Sequence, residues 1–137
     1  MNINEYFNKV YTIAFRLTGE EFQASDMAVH AIERTASKIN TSETVPSNML
    51  LHTAKEVCRI FLQESQYKQT HKETKNEPLQ NALLTLEPLN RTTIVWKDVL
   101  GFKIDDLVLA VDCSKQELYC ELNNARMQMK VQMRNFI

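Results

Sequence analysis

Apolar residues recur at every third or fourth position through almost every segment of this chain, and this spacing is the strongest constraint on its fold. It places apolar side chains along one face of an α-helix. The chain has two glycines and three prolines in 137 residues, so it has little material for the tight turns of β-hairpins. Its apolar fraction of 44% is sufficient for a core. The sequence therefore predicts an all-α fold.

Residues 1–67 predict a module of three helices. The first pattern ends at Thr18-Gly19, a typical helix stop. The third begins after Pro46, with Ser47 as its expected N-cap. In the second pattern, residues step by three and four along one seam, which we expect to be buried against the first helix: Phe22, Ser25, Val29, Ile32, Ala36 and Ile39.

A polar segment follows the first module. Residues 68–78, KQTHKETKNEP, contain no apolar residue apart from the proline that ends them. Such a composition is typical of a solvated linker or of a frayed helix end. We expect the boundary between two small helical modules here, with the second module spanning residues 79–137.

The second module carries the pattern of a helix-turn-helix. Pro88 is expected in the first turn of a helix that ends before Gly101. A short helix from Ile104 to Val111 is followed by a tight turn, residues 112–114, in which Ser114 is the expected N-cap of a long final helix. The expected buried stripe of that helix is Leu118, Leu122, Ala125, Met129 and Met133. An ordinary pair of packed helices is the alternative.

Charge and composition argue against several classes of function. The net charge of −1 gives no general attraction to nucleic acid. No apolar run is long enough for a membrane span, so we expect a cytoplasmic protein without a membrane partner. The three cysteines lack C-x-x-C spacing and are expected to be reduced. We find no catalytic constellation, and we expect no enzyme activity, cofactor, metal site or small-molecule substrate.

Two stretches resemble the extracytoplasmic-function group of bacterial sigma factors. AFRLTGEEFQASDMA, residues 14–28, is similar to the pattern A-x-R-L-x-G-D-x-x-x-A-E-D-L-V of that family. Residues 83–126 resemble its C-terminal pattern, which ends in G-T-V-K-S-R-L-x-R-A-R. The matching or closely similar positions in that segment are Leu86, Arg91, Gly101, Asp106, Leu107, Ser114, Leu118, Leu122, Ala125 and Arg126.

The resemblance implies partners and site residues. In such proteins the first module binds core RNA polymerase, and the second recognises promoter DNA and also contacts polymerase. An anti-sigma factor is a further partner that the resemblance suggests. The residues implied for polymerase binding are Asp26, Met27, His30 and Glu33. Those implied for DNA binding are Lys115, Gln116, Tyr119, Asn123, Arg126 and Lys130.

The final helix departs from the family pattern at its polar positions. Glu117, Tyr119, Glu121 and Asn124 stand where the family has a threonine, a lysine and two arginines. We expect Glu117, Glu121 and Asn124 on one face, opposite the apolar stripe, where they would repel phosphates. Three hypotheses remain: a sigma factor that directs polymerase to promoters, a degenerate sigma-like regulator that uses protein contacts without reading DNA, and a helical adaptor unrelated to transcription.

Overall fold

The computed structural model describes residues 1–36, 44–64 and 77–134, and this part of the chain is built from helices, as predicted. The α-helices are α1 (Ile3–Thr18), α2 (Glu21–Ala36), α3 (Met49–Gln63), α4 (Pro78–Leu84), α5 (Pro88–Ile94), α6 (Ile104–Val108) and α7 (Lys115–Met133). A π-helix, Val95–Val99, continues directly from α5.

The first three helices pack on one another, and their ends are set by local sequence. Asn2 caps α1 by accepting a hydrogen bond from the Glu5 N–H at 2.8 Å. Gly19 ends it with a φ of 68°, a left-handed conformation that suits glycine. The predicted stop at Thr18-Gly19 is therefore confirmed.

The predicted packing face of α2 is wrong. Phe22 is 84% exposed and Val29 is 39% exposed. The buried positions are instead Ala24, Met27, Ala28 and Ala31. Small alanines let α2 approach α1 and α3 closely, whereas Phe22 and Val29 lie on its outer side and Ile32 packs only partly against the core. Among the other predicted seam residues, Ile39 lies outside the described residues.

Two predictions around α3 and the linker also need correction. Ser47 is not the N-cap of α3, because that position is occupied by Asn48, whose side chain makes no capping hydrogen bond. Pro78 is not part of a linker, because it is the first residue of α4. The rest of the predicted linker, residues 68–76, lies outside the described residues. The division into two modules with these boundaries stays a prediction.

The second module begins with short helices that pack on α7. Pro88 is the first residue of α5, as predicted, and Gly101 adopts a φ of 77° just after the π-helix. The fully buried Trp96 donates from Nε1 to the Lys103 carbonyl at 2.8 Å, and its ring lies 4.7 Å from that of Phe102. These contacts hold the chain where it turns from the π-helix into α6.

The two modules share one buried apolar cluster. Helix α1 contacts α4, α5 and the π-helix, and α3 contacts α5. Gly19 lies directly against α4, since a Cβ placed there would be 2.6 Å from Cδ1 of Leu84. The side chains of Gln80 and Arg91 reach from the second module to main-chain carbonyls of α1. The modules therefore meet in a contact that contains both apolar and polar groups.

Candidate protein and nucleic-acid interfaces

Helices α6 and α7 occupy the segment predicted for the helix-turn-helix. Helix α6 ends at Val108, earlier than expected, so residues 109–114 connect it to α7. Ser114 is the N-cap of α7, as predicted, and its Oγ accepts from the Glu117 N–H at 3.1 Å. Leu118, Leu122 and Ala125 are buried, while Met129 is half-buried at the edge of the core. Met133 is also only half-buried, so the predicted stripe is buried over its first three positions and not over its last two.

Glu121 does not lie opposite this stripe, so the prediction is wrong for this residue, whereas Glu117 and Asn124 are exposed as expected. Position 121 is three residues after the buried Leu118 and one before the buried Leu122, so it lies at the edge of the packed surface. Glu121 is half-buried there, and its carboxylate accepts a hydrogen bond from the Asn90 side chain. Asn90, which is 6% exposed, also approaches the Glu121 carbonyl at 3.4 Å. Glu121 therefore connects α7 to α5.

Four of the residues implied for DNA binding share one side of α7. Lys115, Tyr119, Arg126 and Lys130 are separated by four, seven and four positions, which places them along a common line. All four are exposed, and we call this line the basic flank of α7. Gln116 and Asn123, seven positions apart, are exposed on the adjoining outer surface. The structure thus brings the six residues onto one continuous exposed surface.

Acidic residues from other elements pair with two cations of the basic flank. Arg126 donates from Nε and Nη2 to the two carboxylate oxygens of Asp98, at 2.8 and 2.7 Å. Lys115 Nζ lies 2.7 Å from Oδ1 of Asp105. The hydrogen bond from Arg126 lowers the pKa of Asp98, and that from Lys115 lowers the pKa of Asp105, so both carboxyl groups are ionised at neutral pH.

Asp98 and Asp105 were missed by sequence reasoning. Asp98 lies in the π-helix, 28 positions before Arg126, so no helical spacing connects the two residues. Asp105 lies in the first turn of α6, where an acidic residue is favourable to the helix dipole, so its position in the sequence does not indicate the pairing with Lys115. The two carboxylates offset the positive charges of Arg126 and Lys115, which a contact with phosphate would use. The basic flank is therefore less positive than its own sequence indicates.

Helix α2 presents a second exposed surface. Phe22, Asp26, Val29 and Glu33 are all exposed and follow one another at spacings of four, three and four, and we call this line the α2 stripe. His30 lies beside it, with Nδ1 3.8 Å from Oδ2 of Asp26. An exposed phenylalanine and valine that alternate with two carboxylates form a surface suited to a protein partner with both apolar and basic groups.

Met27 does not belong to this surface. Its side chain is fully buried in the core, so it cannot contact a partner directly. Helical geometry explains this burial, because residue 27 faces the same side of α2 as the buried Ala24 and Ala31. Of the four residues implied for polymerase binding, Asp26, His30 and Glu33 reach the surface, and Met27 supports the helix from inside.

The described residues hold no group of three histidine, cysteine, aspartate or glutamate side chains arranged to bind a metal ion. Burial raises the pKa of the Cys58 thiol to about 12, and burial also raises the pKa of Cys113. Both thiols are therefore protonated at neutral pH and weakly nucleophilic. Of the helices in the described ranges, none combines the length and apolar character needed to cross a bilayer.

Comparison with known proteins gives a match to a solved structure. The chain matches no family model. It also matches no curated protein sequence. Among solved structures, it is similar to the sigma factor RpoE from Bartonella quintana, in a co-crystal structure with the anti-sigma factor NepR. The TM-score is 0.74 at 12% sequence identity, and the match covers 96% of this chain and 94% of that one. The chain therefore has the fold of an extracytoplasmic-function-type sigma factor.

Proposed function

We propose that this chain is a sigma-factor-like transcription initiation protein that binds core RNA polymerase and directs it to promoters. The observation that carries the proposal is the fold match, which spans both modules in one alignment. A resemblance limited to one small helical module would support any helical adaptor. The extent of the match is consistent with the resemblance of residues 14–28 and 83–126 to the same family.

We assign polymerase binding to the α2 stripe. Its phenylalanine and valine offer apolar area to a partner, and its carboxylates Asp26 and Glu33 offer charge complementary to a basic surface. Phe22, at 84%, is the most exposed large apolar residue of the described chain, and its ring therefore offers the largest apolar gain on contact with a partner. We therefore place the main anchor of the contact at Phe22.

The second candidate function is a sigma-like regulator whose α7 contacts protein instead of promoter DNA. The observation that favours it is the pairing of Arg126 with Asp98 and of Lys115 with Asp105. Each carboxylate would stand near a phosphate and weaken binding that depends on release of counterions. Exposed Tyr119, Met127 and Val131 on the same helix are residues that protein interfaces use. An anti-sigma factor is one partner of this class.

A binding and promoter-opening experiment distinguishes these functions. The full chain is mixed with sigma-free core polymerase from the same organism, binding is measured, and the complex is tested for protection and melting of promoter fragments. Binding with promoter opening supports the sigma-factor function. Binding without promoter selection supports the regulator. No binding contradicts the sigma-factor function and leaves either a regulator whose partner is an anti-sigma factor or the helical adaptor.

Matched variants test the assignment of the α2 stripe. Phe22→Ser removes the exposed ring and should weaken polymerase binding about tenfold or more, as expected for an interface anchor. Leu109→Ser is the control, because Leu109 is 74% exposed but lies in the second module, between α6 and α7. Equal affinities of both variants and the parent protein would contradict the assignment.

A further inference from the structure

Two helix C-termini, one from each module, converge on the guanidinium group of Arg91. Its Nη1 donates to the Leu17 carbonyl at 2.6 Å, in the last turn of α1. Its Nε donates to the Leu83 carbonyl at 2.9 Å, and its Nη2 donates to those of Leu84 and Leu86 at 3.2 and 2.9 Å, at the end of α4 and just beyond it. One side chain thus binds four main-chain carbonyls at or just beyond the ends of two helices, although that of Leu83 also accepts from the Leu86 N–H.

The charge of Arg91 is balanced in an unusual way. The side chain is 3% exposed, and each of its hydrogen-bond acceptors in the described chain is a main-chain carbonyl instead of a carboxylate. The negative ends of the two helix dipoles compensate part of its charge. Its guanidinium carbon also lies 5.5 Å from the centre of the Phe61 ring, on α3 of the first module. Burial lowers the pKa of Arg91 to about 10, so it remains charged at neutral pH.

Gln80 makes a second polar contact between the modules. It is fully buried in α4, and its Nε2 donates to the carbonyls of Phe15 and Arg16 at 3.1 and 3.2 Å. Its Oε1 accepts from Nη1 of Arg16 at 3.2 Å. Together, Arg91 and Gln80 bind the carbonyls of three consecutive residues at the end of α1. Water can replace these bonds when the modules separate, whereas the packing inside each module has no such substitute.

We propose that Arg91, assisted by Gln80, is a clasp that closes the two modules on each other, and that the free protein opens at this clasp while each module stays folded. The helices of the first module pack mainly on one another, and α4, α5 and α6 pack on α7, so most of the packing of each module lies within that module. Opening would expose carbonyls and a guanidinium, which water solvates well, together with the part of the apolar cluster that lies between the modules.

This clasp has a consequence that rests on the proposed function. A protein that contacts polymerase with α2 and promoter DNA with α7 must allow its modules to reach separate sites. The closed state would then lower the apparent affinity for polymerase by the fraction of molecules that are open. The clasp is tested on the free protein, without polymerase. A result against the clasp is therefore distinguishable from a result against polymerase binding.

Distances between spin labels on the two modules test the clasp. One label is attached at Glu33→Cys on α2 and the other at the native Cys120 on α7, which are both exposed. Cys113→Ser removes the half-exposed third thiol, and Cys58 is buried and is left in place. The variants are Arg91→Met and Gln80→Leu. The control is Thr92→Val, which removes a fully buried hydroxyl that bonds only to Pro88 within α5.

We expect Arg91→Met and Gln80→Leu to add a population with longer distances, at unchanged helix content by circular dichroism. The ratio of open to closed molecules should rise about tenfold or more in Arg91→Met, which corresponds to the loss of one or two hydrogen bonds of a charged donor. Thr92→Val should match the parent. A single unchanged distance in both clasp variants would overturn the proposal.

If substitution of Arg91 or Gln80 unfolds the protein, the labelled parent protein still provides a test. The labelled parent protein is titrated with urea while distance and helix content are followed together. We expect the long distance to appear at urea concentrations that leave the helix content native. Coincident change of both signals would overturn the proposal, since it would show that the modules separate only by unfolding.

Discussion

Arg126 of α7 and Asp98 of the π-helix form a two-bond ion pair, with donor–acceptor distances of 2.8 and 2.7 Å. Both side chains are partly exposed, so the pair contributes little to stability, under about 1 kcal/mol. Its importance is electrostatic, because it sets the charge that the basic flank offers to any partner. A carboxylate held beside Arg126 weakens contact with phosphate and favours contact with protein.

Neutralising Asp98 should therefore strengthen DNA binding if α7 contacts DNA. For Asp98→Asn we expect about fivefold tighter binding of duplex DNA at low salt, equivalent to about 1 kcal/mol for one nearby charge. The slope of log affinity against log salt should steepen by about 1, as for one added phosphate contact. Fluorescence anisotropy at several salt concentrations measures both. Asp112→Asn, an equal charge change at an exposed turn residue, is the control, and identical behaviour of the two variants would refute DNA contact by this flank.

The same ion pair predicts a pH dependence of stability. The pKa of Asp98 is lowered in the folded protein, chiefly by the hydrogen bond from Arg126. Its contribution is therefore fully present above the unfolded pKa of about 3.9 and is lost as the pH falls through the lower folded value. Urea unfolding between pH 7 and pH 2.5 should show the parent protein losing up to about 1 kcal/mol more than Asp98→Asn. Parallel curves for the two proteins would contradict the pairing.

The two glycines should differ in their response to alanine. Both have positive φ, of 68° and 77°, so each substitution carries a backbone cost of about 1 kcal/mol. At Gly19 the new Cβ would also meet the Leu84 side chain at 2.6 Å, whereas at Gly101 nothing lies within 4 Å. We expect Gly19→Ala to lower the free energy of unfolding by about 1–3 kcal/mol more than Gly101→Ala. Equal losses in denaturant unfolding would show that α4 does not press on Gly19.

Two serines provide a test of helix capping. Ser114→Ala removes the Oγ that accepts from the Glu117 N–H, and it should cost about 1 kcal/mol of unfolding free energy. Ser47→Ala should change stability by less than about 0.5 kcal/mol, because Ser47 precedes the N-cap of α3. Chemical denaturation of both variants measures the difference. A large effect at Ser47 would restore the capping role that its sequence position predicts.

Much of this fold could be predicted from local patterns. The end of α1 at Gly19, the start of α5 at Pro88 and the cap of α7 at Ser114 each depend on the chemistry of one or two residues. The buried stripe of α7 follows from helical spacing alone, because Leu118, Leu122 and Ala125 are its clearest apolar series. In α2 the same method selected the wrong side, since alanines that permit close packing carry a weaker signal than an exposed phenylalanine.

The sequence by itself determined the helices, some of their ends and the resemblance to sigma factors, because these depend on residues close together in the chain. Only the tertiary structure decided which groups meet across long separations. It joined Asp98 to Arg126 and Asn90 to Glu121, and so changed the charge and orientation of α7. It also buried Arg91 between two helix ends, 74 residues from its partner Leu17. Such pairs depend on how the helices pack on one another, and the spacing of residues along the chain does not predict that packing.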